Sequence, residues 1–440
     1  MEKRIIVAGG GHGGIAAAAI LARSGYDVTV FERNKRENMG YDWTDIFDKN
    51  GLTAAGMELP PKEKYAFKNN MTFFGPAMTV ALRQNVPFDQ LEIQMERRDI
   101  YNHIISHAEN AGVKFVWETA VEAPVMIGNR VVGIQTKNGS EYADLVIDAA
   151  GINSTVRSKL PESLGIQNRV GAYEQFYVYR GFFNKLSEVT ADKYRVFIFH
   201  DGKLGISWVV EEKNHIDVLI GRFSPFGIDE VNATLESLRK TNPCLGTELL
   251  RGGRFVSIPV RQPLGILVAD GYAAIGDSAF MTVPVIGSGI ANSLKAARML
   301  ADAVIADRSF SFSAQTLWKY QREFYKKLGA GLAPLACVKL MLTKLEPWEL
   351  DYIFEHGILN GDDMTIGADA VSLGSFMKGI KFSDVRTKFS GVTGNKSVMK
   401  KVLSMGKQVA AATAVTAALP PQYEYNTAMR WVKSYNNCFK

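Results

Sequence analysis

Cysteine is scarce. The chain of 440 residues holds three, Cys244, Cys337 and Cys438, far apart, which excludes a disulfide framework and a clustered zinc site and leaves the reducing cytoplasm as the expected compartment. Histidine is nearly as thin, and none of His12, His103, His107, His200, His215 and His356 stands in a nucleophile context, so a Ser-His-Asp hydrolase is excluded. His103 and His107 lie i, i+4 on one helix face, but Ile104, Ile105 and Ser106 between them omit the glutamate of a zinc-hydrolase helix. No stretch reaches the ~18 to 20 apolar residues that span a bilayer; the best, 409–419, is shorter. Gly9, Gly10, Gly11, Gly13 and Gly14 break the apolar N-terminal stretch, so no secretory leader is expected. With 47% hydrophobic and 22% charged residues, disordered and coiled-coil chains are excluded too.

What is present begins with a short apolar run, Ile5 to Ala8, followed by glycines, a helical pattern over 14–24 and a second strand, Asp27 to Phe31. Strand, glycine turn, helix and strand within about 30 residues form one βαβ unit, whose parallel strands require a right-handed crossover and a doubly wound sheet. A helix over 97–110 precedes a strand over 113–117, and strands over 131–135 and 145–149 flank the turn Lys137-Asn138-Gly139-Ser140. From Tyr173 to Phe223 four β-rich runs, 176–179, 194–199, 205–210 and 216–220, predict an antiparallel sheet. A helix over 229–240 closes it, α/β character returns over 272–275 and 289–306, and the remainder reads as mainly helical.

Gly9-x-Gly11-x-x-Gly14, with His12 and Gly13 inside it, follows a strand and opens a helix, the context of a dinucleotide fingerprint. The first glycine permits the turn, the second admits a pyrophosphate, the third lets helix and strand pack closely, and the helix N-terminus offers free N–H groups. Glu32, ending the second strand, is placed for an adenosine ribose, with Arg33 beside it. This unit alone suits NAD or FAD equally.

Two later segments decide between them. Asp144-Leu-Val-Ile-Asp148-Ala-Ala-Gly151-Ile-Asn-Ser154-Thr-Val-Arg157 and Tyr272-Ala-Ala-Ile-Gly276-Asp277-Ser-Ala-Phe-Met-Thr-Val-Pro284-Val-Ile-Gly287-Ser288-Gly289-Ile290-Ala-Asn292 resemble the second and third signatures of the flavoprotein family of para-hydroxybenzoate hydroxylase and the geranylgeranyl reductases. The resemblance implies FAD, with Asp277 on its ribityl chain and Gly151 and Gly276 beside it. Arg97-Arg98-Asp99-Ile100 resembles the family's arginine at a helix start, aligned on Arg97 with Arg98 as its alternative. Independently of family, Pro284, Gly287, Ser288 and Gly289 open a helix at Ile290 whose N-terminus can stabilise charge on a reduced isoalloxazine.

Ala149-Ala150-Gly151 stands where many hydroxylases of the family carry Ala-Asp-Gly, which resembles the reductase branch more closely. That branch's aromatic-x-Trp strand pattern survives here at Trp208 alone, and Tyr41, Asp42 and Trp43 occupy the loop that in the family runs toward the flavin. These four are the candidate active-site wall, with Phe176, Tyr177, Phe197 and Phe199 as further lining.

The expected fold is α/β: a discontinuous Rossmann-type FAD-binding domain (1–80, 95–172 and 265–310), an antiparallel substrate domain (81–94 and 173–264) and a helical C-terminal region (311–440). The expected function is an FAD-dependent reductase or dehydrogenase of an apolar isoprenoid or lipid-like substrate, fed by NAD(P)H or another reduced donor. A flavin monooxygenase is the alternative, and a non-catalytic cofactor-retaining protein a third reading. Between residues 376 and 408 eight basic residues face one acid. This segment reads either as a peripheral contact with an anionic membrane or as a solvated helix face, and no motif points to nucleic acid.

Overall fold

The computed structural model describes residues 3–167, 169–171, 173–188, 191–365, 388 and 390–440. Ile5 to Ala8 are fully buried, as a central parallel strand covered on both faces must be. The strand Arg4–Ala8 pairs in parallel with Asp27–Phe31 on one side and Leu145–Asp148 on the other. Lys114–Val116 and Tyr272–Ala274 extend this six-stranded sheet, and Val268–Ala269 closes one edge antiparallel. The helices His12–Arg23, Arg97–Asn110 and Ile290–Ala306 pack together over it and share its core. The Asn138-Gly139 turn sits in a three-stranded meander, Val121–Ile127, Arg130–Thr136 and Gly139–Tyr142.

A seven-stranded sheet stands beside it, ordered Leu245–Pro259, Gln175–Lys185, His215–Arg222, Gly205–Glu211, Tyr194–Ile198, Thr72–Phe74 and Ala81–Arg83. Its longest strand, Leu245–Pro259, has no counterpart in the sequence reading. It is an edge strand interrupted by Gly252 and Gly253, both at positive φ, and its register against Gln175–Lys185 shifts three times, so no period of two survives. Thr72–Phe74, counted with the first domain in the sequence, adds to this sheet by parallel pairing with Tyr194–Ile198; three residues carry too little pattern to place them. A small sheet, Thr44–Phe47, Ile93–Glu96 and Tyr65–Phe67, joins the two halves.

The C-terminal region is helical: Ala314–Phe324, Ala330–Leu342, Pro347–Glu355, Lys396–Ala417 and Tyr425–Asn437. A π-helical turn, Tyr325–Gly329, links the first two, so the winding changes between them. Of the basic segment, Lys378, Lys381 and Arg386 lie outside the described residues. Lys388 is paired with Asp363 and Lys401 with Glu349, so these two charges are spent internally. Lys396, Lys400 and Lys407 remain exposed on the helix Lys396–Ala417. Among the described residues no single helix is long and apolar enough to cross a membrane.

Candidate functional site

The glycine loop is shaped by close approach. Gly9 has φ +91°, and a Cβ there would lie 2.6 Å from Ala150 Cα. At Gly14 a Cβ would lie 2.4 Å from Ala149 Cβ, so only glycine lets this helix settle on its strands. The loop, with Gly11 and Gly13, lines one end of a cavity of about 1980 Å³ that also takes in Glu32, Arg33, Gly151, Gly276, Asp277 and the stretch from Pro284 to Ile290. Gly289 caps the helix Ile290–Ala306 without a side-chain bond to its free N–H groups, which therefore face the cavity with the dipole's positive end. Glu32 is buried and accepts from the N–H of Gly10 at 2.7 Å and of Asn34 at 2.8 Å.

Arg97, first residue of its helix, turns inward and meets Asp45 at 3.0 Å, while Arg98 is exposed. Its Nε is buried without a hydrogen-bond partner. The guanidinium lies 4.6 Å over the ring of Tyr41, and Arg254 lies 4.8 Å over the same ring. Burial raises the Tyr41 phenol, against the pull of Arg97, so it keeps its proton. Burial likewise raises Asp277, with Arg97 and the Thr282 hydroxyl (3.3 Å) opposing. His12 packs 4.3 Å from the Tyr101 ring, and its Nε2 is buried without a partner. Burial and then Arg97 push its pKa well below the ordinary value, so the imidazole is neutral. The unpartnered His12 Nε2 and the orphaned Arg97 Nε donor, free helix N–H groups and a glycine cradle fit a dinucleotide with a pyrophosphate and a ring edge that accepts charge.

The seven-stranded sheet supplies the opposite wall. Phe176, Val178 and Arg180, alternate residues of one strand, line the cavity with Ile206, Trp208 and Leu219; Tyr177 and Phe197 point to the other face by the same period. Phe197 instead stacks on Phe74 at 5.6 Å, and Phe199, beyond the end of its strand, lines the cavity. Trp43 and Trp208 each lie 5.0 Å from the guanidinium carbon of Arg180, which is held between them. Arg180 is 2% exposed, binds both oxygens of Asp217 (2.8 and 2.5 Å) and donates to the Thr44 carbonyl. This buried pair is not legible in the sequence, because nothing local marks two charges 37 residues apart as partners. Asp42 borders the cavity, but Arg251 and the Gly252 N–H (2.9 Å) hold its carboxylate.

Beyond these aromatics the same cavity reaches Pro334, Leu335 and Val338 on one helix and Val402, Leu403 and Val409 on another. Leu403 is 58% exposed while lining the cavity, which therefore opens to the surface beside it. Asp148, in the second signature, is fully buried away from the cavity and accepts from Ser154 (2.6 Å) and Tyr272 (2.9 Å), a purely internal support. His103 bonds the Glu58 carbonyl at 2.9 Å, and no metal-holding cluster occurs among the described residues.

Residues 7–55 match the family model of an NAD(P)-binding Rossmann-like domain. A digeranylgeranylglycerophospholipid reductase of Sulfolobus acidocaldarius is 26% identical over 83% of this chain and 82% of its own length. A geranylgeranyl diphosphate reductase of Synechocystis is 24% identical over 75% and 83%. A geranylgeranyl bacteriochlorophyll reductase-like structure from Thermoplasma acidophilum superimposes with a TM-score of 0.73 over 90% of this chain and 99% of that one, at 18% identity. The chain thus has a Rossmann-like dinucleotide loop and a two-sheet fold shared with this neighbour, and over most of its length it is similar to proteins named as geranylgeranyl-chain reductases.

Proposed function

We propose that the chain is an FAD-dependent reductase that adds hydrogen across carbon–carbon double bonds of an isoprenoid or lipid-like substrate. One observation carries this reading: a single cavity runs from the dinucleotide loop past Trp43 and Trp208 into apolar space between C-terminal helices. Its ≈ 1980 Å³ exceeds the roughly 300–1,000 Å³ of an ordinary small-molecule site, leaving room for a long apolar chain beside a dinucleotide.

In this reading Gly9, Gly11, Gly13, Gly14 and the neutral His12 receive the pyrophosphate, and Glu32 and Arg33 the adenosine ribose. Arg97, Gly151, Gly276 and Asp277 hold the ribityl side. The backbone of Pro284, Gly287, Ser288, Gly289 and Ile290 faces the isoalloxazine edge. Bound FAD would supply a two-electron carrier able to hand hydride to an alkene carbon. Trp43 and Trp208 orient the chain and exclude water, and Tyr41 offers its retained phenolic proton from the wall. NAD(P)H or another reduced donor restores the electrons, and we place the enzyme in the cytoplasm.

The test bypasses that donor. FAD-loaded protein is reduced with dithionite under argon and mixed with geranylgeraniol; the flavin should reoxidise while the product gains two hydrogens per double bond by mass spectrometry. A flavin indifferent to every polyprenyl compound, yet transferring oxygen to aromatic substrates, would establish the monooxygenase instead. Tyr41→Phe should slow reoxidation about 100-fold with bound FAD unchanged.

A further inference from the structure

The helix Ala330–Leu342 presents Gly331, Pro334, Leu335, Val338 and Leu342 to the cavity, and among them one charge, Lys339. Lys339 is 3% exposed. Its Nζ donates to the Tyr173 carbonyl at 2.7 Å and stands 5.6 Å from the ring of Phe223, which belongs to the Trp43–Trp208 aromatic cluster. Arg33, Arg98 and Arg254 of the wall are exposed, and the other cations that are not exposed each own a carboxylate: Arg97 has Asp45, Arg180 has Asp217, Lys68 has Glu92 and Lys388 has Asp363. Among the described residues Lys339 meets no carboxylate within ion-pair distance. Glu174, the acid nearest in its field, is bonded to Arg261 at 3.0 Å and to the Gly171 N–H at 2.5 Å, and Arg261 opposes the ammonium. Burying an ammonium with two N–H groups unspent is costly unless an anion joins it, and burial lowers its pKa to about 8, leaving it mostly charged at neutral pH.

We propose that Lys339 is the recognition point for a phosphate group carried by the apolar substrate. This rests on the isoprenoid-reductase reading. It adds that the ligand is anionic at one end, a diphosphate or a phospholipid headgroup, with the chain along the cavity and the phosphate closing the open side of Lys339.

The holoenzyme is titrated with geranylgeranyl diphosphate, with a phospholipid bearing geranylgeranyl chains and with the uncharged geranylgeraniol, each followed by the change in flavin absorbance. Wild-type protein should prefer a phosphate-bearing ligand by about 10- to 100-fold, the scale of a charge-assisted hydrogen bond. Lys339→Met should erase that preference without changing geranylgeraniol affinity, and Lys339→Arg should keep it. The phosphate compound that loses more affinity in Lys339→Met identifies the source, free diphosphate or headgroup. A preference undiminished in Lys339→Met, or absent in wild type while geranylgeraniol binds, overturns the assignment alone. Failure of all three ligands to perturb the flavin overturns the reductase reading and this one with it. Should Lys339→Met lose FAD, Lys339→Gln decides by the same ratio.

Discussion

At the scale of single residues, the cofactor end is specified by contacts too short for any substituent. Gly14→Ala would place its Cβ 2.4 Å from Ala149 Cβ and 2.9 Å from Val7 Cγ1. Relief requires backbone movement, costing about 1–3 kcal/mol, so the variant should unfold at lower denaturant and bind FAD weakly, read by chemical denaturation and fluorescence titration. These glycines were legible in the sequence because a turn between strand and helix announces itself locally. Glu32 was legible for the same reason, ending the strand that follows such a turn, whereas Asp277 was expected only from the resemblance of its segment to the family's third signature. Arg180 and Asp217 were not: each is an unremarkable charge on a strand until the sheet brings them together. The same holds for Asp42, whose carboxylate answers to Arg251, 209 positions away.

Among the elements, alternation explains what the sequence could say about the aromatic wall. Phe176 faces the cavity and Tyr177 the opposite side because a strand turns over at every residue, yet only register decides which face is inward. Leu245–Pro259 escaped notice because its glycines and register shifts erase that alternation. The strand Gln175–Lys185 gives a direct energetic test. Arg180→Met leaves Asp217 buried without its partner, an expected loss of about 3–5 kcal/mol measurable by guanidinium unfolding. Arg180→Met combined with Asp217→Leu should recover most of that loss, since two apolar groups replace the pair.

For the whole molecule, buried and half-buried imidazoles set the acid limit. Burial is the largest influence on His12, His200 and His215, and it lowers all three below the ordinary histidine value. The unfolded chain therefore takes up protons near pH 6.5 that the folded chain refuses. Stability is present above that pH and declines as pH falls below it, so Tm should drop between pH 7 and 5, and His12→Gln should flatten part of the slope. The cavity's opening beside Leu403 is another property of the assembled chain. It lies on a helix whose exposed Lys396, Lys400 and Lys407 share a stripe with Leu403, and we expect it to meet anionic bilayers. Co-flotation with phosphatidylglycerol vesicles, weakened by Leu403→Glu, checks this.

The π turn Tyr325–Gly329 has a consequence of phase. One residue more than an α-helical turn accommodates sits between two helices, so the second is rotated by about 100° from where an unbroken helix would carry it. Leu335, Val338 and Lys339 border the cavity in that rotated setting. Deleting Leu328 should let the winding run through as α-helix, preserving far-ultraviolet circular dichroism while swinging this face away. The excised residue touches no ligand, yet its removal would change which side chains a substrate meets.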